Sequence, residues 1–209
     1  MSATAVPTGN LYDKQGSRNP VARTLVRRFE RSLDAMIARA DPATILDVGC
    51  GEGDHAERWA AGGREVLGVD LDDARLAREW AMRAHGNSGA LSFQAFDGSA
   101  LPFPDGSFDL VAGIELLEHV DDPRRMLGEL VRCARGHVLA SVPREPLWRA
   151  LNLARGAHLR RLGDTPGHLH HWSRADFVDF AARQVPPEVV RSPLPWTIVL
   201  TRVSAADGD

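Results

Sequence analysis

The stretch that decides the fold is LDVGCGEGDH, residues 46–55. Apolar residues ahead of the first glycine predict a buried strand over residues 44–48, and polar residues after the last glycine predict the start of a helix. Between them, Gly49, Gly51 and Gly53 let the backbone approach a ligand closely, because no Cβ stands in the way. This strand, turn and helix therefore predict a site for a nucleotide-like molecule, recognised by exposed main-chain amides of the turn and by neighbouring aspartates.

Short apolar runs and helical stretches alternate downstream of this turn, a pattern typical of parallel sheets built from βαβ units. The predicted strands cover residues 65–69, 91–95, 108–114 and 137–142, and the predicted helices cover 54–61, 72–84 and 122–134. Asp54 and Asp72 stand at the expected starts of two of these helices, so each carboxylate is predicted to cap the helix that it opens. The central part of the chain is therefore expected to have an α/β fold.

Further elements flank this central part. Apolar residues four apart, from Val21 to Ile37, predict a helix from Pro20 to about Ala40. After Pro143, residues 145–161 predict an amphipathic helical insertion. A helix over 173–183 and two strands, 189–194 and 196–203, then follow, and the two strands are expected to close the sheet as an antiparallel pair.

Length and composition narrow the classes of function. The chain has 209 residues, of which 44% are hydrophobic and 25% charged, as expected of one globular domain. No apolar run approaches the roughly 20 residues of a membrane span and residues 1–10 lack secretory-signal features, so a cytoplasmic location is expected. The net charge of −3 disfavours bulk nucleic-acid binding, although arginines cluster over 18–39 and 144–161. Cys50 and Cys133 show no spacing typical of a disulfide framework or a thiolate metal site.

Acidic residues follow two of the predicted strands. Asp70 ends the second strand, where a carboxylate can accept hydrogen bonds from ribose hydroxyls, and Asp97 follows the third, where it can accept one from an adenine amino group. Strand ends of a parallel sheet meet at one edge, so these groups are expected to converge on the glycine turn. A dinucleotide-dependent oxidoreductase is disfavoured, because the third glycine of GxGxxG would fall at position 54, which is an aspartate.

The order and spacing of these motifs resemble a known family. Four segments between residues 45 and 142 are similar to segments of the small "type 11" class I S-adenosylmethionine-dependent methyltransferases. They are LDVGCGEGD, VLGVDLD, FDGSALPFPDGSFDLV and IELLEHVDDP. The resemblance implies a Rossmann-like α/β fold whose seven-stranded mixed sheet has the order 3-2-1-4-5-7-6, with strand 7 antiparallel and helices on both faces. The cofactor-binding residues that it implies are Asp47, Gly49, Gly51 and Gly53 at the methionine end, Asp70 and Leu71 at the ribose, Asp97 and Gly98 at the adenine, Ile114 and Glu115 closing the site, and Tyr12 as a lid.

This resemblance also suggests how the chain is organised. We expect a single methyltransferase domain over residues 1–209, in which residues 1–40 form an N-terminal lid segment and helix and residues 41–143 form the cofactor-binding core. Residues 144–172 are expected to be a substrate-side insertion, and residues 173–209 the closing helix and antiparallel strand pair.

Two segments offer chemistry beyond cofactor binding. ELLEH, residues 115–119, follows the fourth predicted strand, and GHLHHW, residues 167–172, lies in the insertion. From these we select Glu118, His119 and His168 as candidate catalytic residues. An imidazole could act as a base, a set of carboxylates and imidazoles could hold a divalent metal ion, or the residues could be structural. ExxEH with a later histidine resembles two metal-using groups, the ubiquinone-type O-methyltransferases and the RNA 3′-terminal 2′-O-methyltransferases.

The expected function is methyl transfer to oxygen or nitrogen of a small-molecule acceptor. The insertion carries arginines that suit an anionic acceptor and apolar residues that suit an apolar one. These are Arg144, Arg149 and Arg155 on the one hand, and Leu147, Trp148, Leu151 and Ala154 on the other. Alternatives are metal-assisted O-methylation of a nucleic-acid or quinone-like hydroxyl, and a catalytically inactive adaptor that keeps the fold. No oligomeric state is predicted.

Overall fold

The computed structural model describes residues 19–71, 73–86, 89–96, 98, 100–154 and 156–203. Four residues singled out above, Tyr12, Asp72, Asp97 and Arg155, lie outside these ranges. The predicted lid role of Tyr12 and the predicted adenine contact of Asp97 therefore concern positions outside the described residues.

Strands and helices alternate along the described chain. The strands are β1 Thr44–Val48, β2 Glu65–Asp70, β3 Leu91–Ala95, β4 Phe108–Ile114, β5 Ala134–Pro143, β6 Pro187–Arg191 and β7 Trp196–Arg202. The α-helices are α1 Pro20–Ala40, α2 Asp54–Ala61, α3 Ala74–Gly86, α4 Pro123–Cys133, α5 Leu147–Ala154 and α6 Arg174–Ala182, and a short 3₁₀ helix covers Leu159–Arg161.

The strands form one mixed sheet of seven strands in the order β3-β2-β1-β4-β5-β7-β6. β7 runs antiparallel to both neighbours, β5 and β6, and the other neighbouring pairs are parallel. The predicted fold class and strand order are therefore confirmed. Because β1 and β4 are central, the segments that follow them emerge in the middle of one edge of the sheet, where ligands of open α/β sheets bind.

Helices cover both faces of the sheet. Ile45 and Leu46, consecutive in β1, belong to different buried clusters, as the alternation of side chains along a strand requires. On one face, α1 and α2 bury apolar side chains such as Phe29. On the other face, α4 and α6 bury Leu130 and Phe177. Burial on both faces explains why the central strands are almost continuously apolar.

Side-chain caps determine where several helices begin. The side chain of Asn19 accepts a 2.9 Å hydrogen bond from the N–H of Val21 at the start of α1. The Asp122 side chain caps α4, and Ser173 with Asp176 forms a capping box at α6. These carboxylate and hydroxyl oxygens satisfy amides of the first helical turn, which have no acceptor within the helix.

The predicted cap of α2 is wrong. The N-cap residue is Gly53, which has no side chain that could accept a hydrogen bond from the first helical amides. Asp54 is the first helical residue. The Asp54 carboxylate instead lies 2.5 Å from the Arg83 guanidinium on α3. An ion pair with a partner 29 residues away has replaced the local hydrogen bond that the sequence pattern predicts.

The start of α3 also differs from the prediction. The helix begins at Ala74, two residues later than expected. The side chain of Asp73 accepts hydrogen bonds from the N–H groups of Arg75 (2.7 Å) and Leu76 (3.2 Å). Asp73 therefore caps this helix, a role that the sequence assigned to Asp72.

The insertion is not the single helix that was predicted for residues 145–161. α5 ends at Ala154, Gly156 has a φ of +73°, and His158 is left-handed before the 3₁₀ helix begins. Left-handed residues do not continue a right-handed helix, so the chain turns back here. The buried residue of α5 is Asn152, whereas an amphipathic helix would bury its leucines.

The remaining differences are small. β5 begins at Ala134, three residues earlier than predicted, because Ala134 pairs with Phe108 of β4. The antiparallel pair of β6 and β7 is present as expected. Of the cysteines, Cys133 is buried and Cys50 is half-buried, and both are free thiols. Among the described helices, none combines the length and the apolar character of a membrane-spanning segment.

Candidate cofactor and acceptor site

The ends of the central strands bring three acidic side chains to one edge of the sheet. Asp47 lies near the end of β1, where it pairs in register with Gly68 of β2 and Ala112 of β4. Asp70 is the last residue of β2, and Glu115 follows the last residue of β4. The glycine turn that follows β1 lies between these strand ends. Of the two acidic residues predicted to converge on the turn, Asp70 lies beside it, and Asp97 lies outside the described residues.

Asp47 is the most unusual of these side chains. It is 2% exposed, and its Oδ2 atom has no hydrogen-bond partner among the described residues. Burial, followed by the charge of Asp70, raises the pKa of Asp47 to about 8. A buried carboxyl oxygen without a partner is costly in a folded protein. A cationic or hydrogen-bond-donating group of a ligand would satisfy this carboxyl.

The amides of the glycine turn are used inside the protein. The N–H groups of Gly49 and Cys50 donate to Val69 O over 2.8 and 3.1 Å. The N–H of Gly51 donates to Asp70 Oδ2 over 2.7 Å. The expectation that exposed amides of these residues recognise the ligand is therefore wrong. Phosphate groups bind to clusters of free amides, so the turn suits a ligand without a diphosphate better.

Gly53 ends the turn under strict steric limits. Its φ is +88°, and a Cβ at this position would lie 2.6 Å from the ring of Phe93. Phe93 stacks on Trp80 with ring centroids 5.4 Å apart, and Trp80 Nε1 donates to Gly51 O over 2.8 Å. Two aromatic side chains therefore support the turn from below. Any larger residue at position 53 would displace them.

The residues predicted at the ribose and adenine lie beside the turn. Asp70 Oδ1 accepts a 2.7 Å hydrogen bond from the N–H of Leu71. Burial raises the pKa of Asp70, and hydrogen bonds from Gly51 and Leu71 act in the opposite direction. Leu71 is 39% exposed, and its Cδ2 lies 3.7 Å from where a Cβ of Gly98 would stand. Leu71 and Gly98 are thus neighbours on the accessible side of β2 and β3.

Glu115 has a backbone conformation that non-glycine residues seldom adopt. Its φ is +52°, directly after the buried Ile114. Its N–H donates to Ser141 O on β5 over 3.0 Å, and its Oε1 accepts a 2.9 Å hydrogen bond from Trp196 Nε1 on β7. Left-handed non-glycine residues cluster at functional sites. Contacts from two strands hold Glu115 in this conformation.

The three candidate catalytic residues form one cluster. Ligand atoms of Glu118, His119 and His168 all lie within 4.8 Å of one another. Glu118 is 1% exposed. His119 Nδ1 lies 3.0 Å from Gly167 O, and because a carbonyl oxygen only accepts, Nδ1 carries the proton. The lone pair of His119 is therefore on Nε2 when the ring is neutral.

His168 is held neutral by its surroundings. Burial, followed by the charge of His119, lowers the pKa of His168 to about 4. The rings of His119 and His168 meet edge to face, with centroids 4.9 Å apart. A neutral imidazole at neutral pH can accept a proton or bind a cation.

The other histidines of GHLHHW do not join this cluster. His170 Nε2 lies 3.0 Å from Val120 O, and His171 Nε2 lies 2.7 Å from Asp164 Oδ1. The first contact attaches the insertion to the segment after β4, and the second lies within the insertion. The main chain contributes as well, because the N–H of Leu169 donates to Glu118 O over 2.7 Å.

Three aromatic residues at the site were not predicted from the sequence. Trp80 and Phe93 support the glycine turn, and Trp196 binds Glu115. Trp80 and Phe93 belong to elements that the sequence predicts, but their ring contact joins residues from different elements. For Trp196 the sequence offered one signal. It is the first residue of a predicted closing strand, which indicates a position at this edge of the sheet.

Comparison with known proteins agrees with this geometry. Residues 46–140 match a family model described as Methyltransferase domain. This chain resembles the class I methyltransferases in its fold and over residues 46–140. The chain is 38% identical over 119 residues to a probable tocopherol O-methyltransferase, chloroplastic, of Oryza sativa subsp. japonica, covering 54% of this chain and 33% of the relative. It is 36% identical over 96 residues to norajmaline N-methyltransferase of Rauvolfia serpentina, covering 44% of this chain and 32% of the relative.

A solved structure shares the fold of this chain over most of its length. Magnesium protoporphyrin IX methyltransferase (ChlM) from Synechocystis PCC 6803 with bound SAH aligns with a TM-score of 0.65 and 18% identity, covering 90% of each chain. By contrast, the chain spans about a third of the length of the two curated relatives, 33% and 32%. These relatives methylate oxygen in one case and nitrogen in the other, according to their names.

Proposed function

We propose that the protein transfers the methyl group of S-adenosylmethionine to an oxygen or nitrogen atom of a small-molecule acceptor. The observation that carries this proposal is the buried Asp47 carboxyl, whose Oδ2 has no hydrogen-bond partner among the described residues, beside a turn in which the amides of Gly49, Cys50 and Gly51 are already bonded. S-adenosylmethionine carries positive charge on its sulfonium and amino groups and has no phosphate. A dinucleotide, with its anionic diphosphate, would place negative charge where the carboxylates of Asp47 and Asp70 lie.

The residues present fit this cofactor. Asp47 and the glycine turn would hold its methionine end, Asp70 and Leu71 its ribose, Asp97 and Gly98 its adenine, and Ile114 and Glu115 would close the site. When bound, the cofactor supplies an electrophilic methyl group. Methyl transfer is an in-line displacement, so the main task of the protein is to align the acceptor and to exclude water.

The chain's own groups suit these tasks. The hydrogen bond from Trp196 to Glu115 and the contacts of Gly167 and Leu169 with ELLEH connect the insertion and β7 to the end of β4. These contacts support the assignment of His168 to the same edge of the sheet as the residues proposed to hold the cofactor. We propose that the neutral imidazole of His168 accepts the proton that a hydroxyl or ammonium acceptor loses, with His119 and Glu118 positioning it.

The geometry of the same cluster favours a second candidate, metal-assisted O-methylation. One carboxylate and two imidazoles within 4.8 Å of one another form a ligand set that divalent transition metals accept. The bond from His119 Nδ1 to Gly167 O resembles the outer hydrogen bonds that orient metal-binding histidines. An ion here would increase the acidity of a hydroxyl acceptor, which could belong to a quinone-like molecule or to a nucleic acid.

Calorimetry with S-adenosylmethionine, its demethylated product and NAD tests the main proposal. We expect the first two ligands to bind and NAD not to bind. Binding of NAD alone would indicate an oxidoreductase, and binding of none of the three would indicate an adaptor without a cofactor.

Titration with Mn²⁺ and Zn²⁺ tests the metal candidate. We expect His168→Gln to abolish stoichiometric binding, whereas the control His171→Gln, whose imidazole contacts Asp164, retains it. Absence of metal binding by the wild-type protein, together with activity that a chelator does not change, would exclude metal assistance and leave His168 as a base.

A further inference from the structure

The helix α5 buries a polar residue and exposes an apolar residue next to it. Its buried residue is Asn152, which is 2% exposed, whereas the next residue, Leu153, is 41% exposed. Ala150 and Ala154 are exposed as well. A helix on the surface of a globular domain usually directs its apolar residues inward and its polar residues to water.

Contacts within the insertion explain this inversion. Asn152 Nδ2 donates to Gly163 O over 2.7 Å and to Thr165 Oγ1 over 3.2 Å. Trp148 Nε1 also donates to Thr165 Oγ1, over 2.9 Å. Gly163 approaches α5 so closely that a Cβ there would overlap Arg149 O. The segment that follows α5 thus covers Asn152, whereas Ala150, Leu153 and Ala154 remain exposed.

The segment after α5 adds to this apolar surface. Four of the eight large apolar side chains that are exposed in the described part of the chain belong to the insertion. Leu162 is the most exposed of them at 75%, and Leu159 is 59% exposed. Arg160 and Arg161 stand between these leucines and are exposed. We call this set the insertion surface; it consists of Leu153, Leu159, Arg160, Arg161, Leu162 and Leu169.

The charge of the insertion indicates what this surface binds. Residues 147–163, LWRALNLARGAHLRRLG, contain four arginines and no aspartate or glutamate, although the whole chain has a net charge of −3. Within the described residues, Arg160 and Arg161 form no ion pair with an acidic side chain. Arg149 pairs with Glu145 and Asp164, so Arg160 and Arg161 are the described arginines of this stretch that remain available. Exposed leucines beside such arginines are typical of segments that lie at a lipid–water interface. Protein interfaces instead concentrate aromatic residues and are depleted of charge at their centre.

We propose that the insertion surface binds the surface of an anionic lipid bilayer. The exposed leucines enter the boundary between headgroups and acyl chains, and the guanidinium groups of Arg160 and Arg161 bind lipid phosphates. Binding therefore combines apolar burial with attraction to negative charge, and the second contribution weakens as salt increases. This interaction is peripheral and is independent of methyl transfer.

Flotation of the full chain with vesicles tests this proposal. One vesicle preparation contains phosphatidylcholine with phosphatidylglycerol, and the other contains phosphatidylcholine alone. We expect binding to the anionic vesicles that decreases with added NaCl. In the double variant Leu159→Asp/Leu162→Asp, the partition coefficient should fall by at least about tenfold. In Arg160→Gln/Arg161→Gln, it should fall on anionic vesicles only.

Two control variants match the changes. Met82→Asp alters an apolar residue of α3 that is 63% exposed, and Arg78→Gln removes an exposed arginine of the same helix; both should bind like the wild type. Thermal unfolding shows whether each variant is folded, and calorimetry with S-adenosylmethionine reports the proposed function separately. The proposal is overturned if the wild type binds neither vesicle, or if Met82→Asp loses as much binding as the leucine variant. A dimer that dissociates in the leucine variant would reassign the surface to a second copy of the chain.

Discussion

The indole N–H of Trp196, the first residue of β7, donates a 2.9 Å hydrogen bond to Glu115, the residue that follows β4. These residues are 81 positions apart in the chain. The ring of Trp196 also packs against Phe29 of α1 at a tilt of 30° and meets Trp148 of α5 edge to face. One side chain therefore connects the closing strand, the N-terminal helix and the insertion to the end of the cofactor-binding strand.

Removal of the Trp196 donor should impair the site more than the fold. In Trp196→Phe we expect about 1–2 kcal/mol less stability, from the lost hydrogen bond and some packing, and a larger relative loss of catalytic efficiency because Glu115 is released. Thermal unfolding and initial rates measure the two effects. Trp59→Phe is the control, since Trp59 is 3% exposed and its Nε1 has no hydrogen-bond partner among the described residues. Equal loss of activity in both variants would contradict the assigned role of Glu115.

Cofactor binding should depend on pH through Asp47. With its pKa at about 8, the free carboxyl is mainly protonated at pH 7 and must release a proton to face a cation. We therefore expect S-adenosylmethionine to bind more tightly as the pH rises from 6 to 8, with proton release. Calorimetry in buffers of different ionisation enthalpy measures this release. Asp47→Asn should abolish the proton release that comes from Asp47. Any proton release from the cofactor's own amino group should remain.

The same carboxyl should affect stability in the absence of ligand. Its pKa in the folded protein lies above that of an unfolded chain, near 3.9, so the folded state holds the proton more tightly. Its favourable contribution is complete below the unfolded pKa and is lost as the pH rises through about 8. We expect the difference in unfolding free energy between Asp47→Asn and the wild type to favour the variant more at pH 9 than at pH 4. Parallel stability curves for the two proteins would disprove the assignment.

Asp70 has two roles that can be separated. Asp70→Ala should weaken cofactor binding by roughly 1–3 kcal/mol, because hydrogen bonds to a charged group are lost. Part of this loss comes from the Gly51 N–H, which donates to Asp70 Oδ2. Asp70→Asn keeps an acceptor for that amide, so it should show an intermediate affinity. A dissociation constant that is unchanged in Asp70→Ala would remove Asp70 from the site.

His168 should make the protein less stable in mild acid. Its pKa of about 4 lies below the value near 6.5 of an unfolded histidine, so the unfolded chain takes up the proton first as the pH falls. Stability should therefore decrease between about pH 6.5 and pH 4, and His168→Gln should reduce this slope. Thermal midpoints at pH 7 and pH 5 provide the measurement, with His85→Gln, an exposed residue of α3, as control. Imidazole chemical shifts of His168 that move between pH 6 and 7 would contradict a pKa near 4.

Local patterns predicted the central fold well. β1, β3 and β4 have the predicted bounds, because continuous apolar runs and glycine-rich turns are local properties of the sequence. The predicted sheet order came with the family resemblance and is confirmed. The antiparallel closing pair was expected and is present, and α6 begins directly after Ser173, where the predicted helix starts.

The predictions that failed depend on partners distant in sequence. Asp54 was expected to cap α2, but Arg83 on α3 binds its carboxylate. The turn amides were expected to be exposed, but Val69 and Asp70 accept their hydrogen bonds. The insertion was expected to be one helix because its leucines have helical spacing, whereas contacts made by Asn152 select a folded-back segment instead. The periodicity of a sequence shows how its apolar residues are spaced. It does not show which side of a helix another segment will cover.

Gly51 shows what such distant partners achieve. Its N–H is bound by Asp70 at the end of β2 and its carbonyl by Trp80 on α3, so both polar groups of one glycine are immobilised from opposite sides. A loop restrained in this way loses little conformational entropy when a ligand arrives, and less of the binding free energy is spent on ordering it. Affinity for the cofactor is thus partly encoded in two residues outside the glycine motif, and changes at Trp80 would weaken binding by loosening the loop.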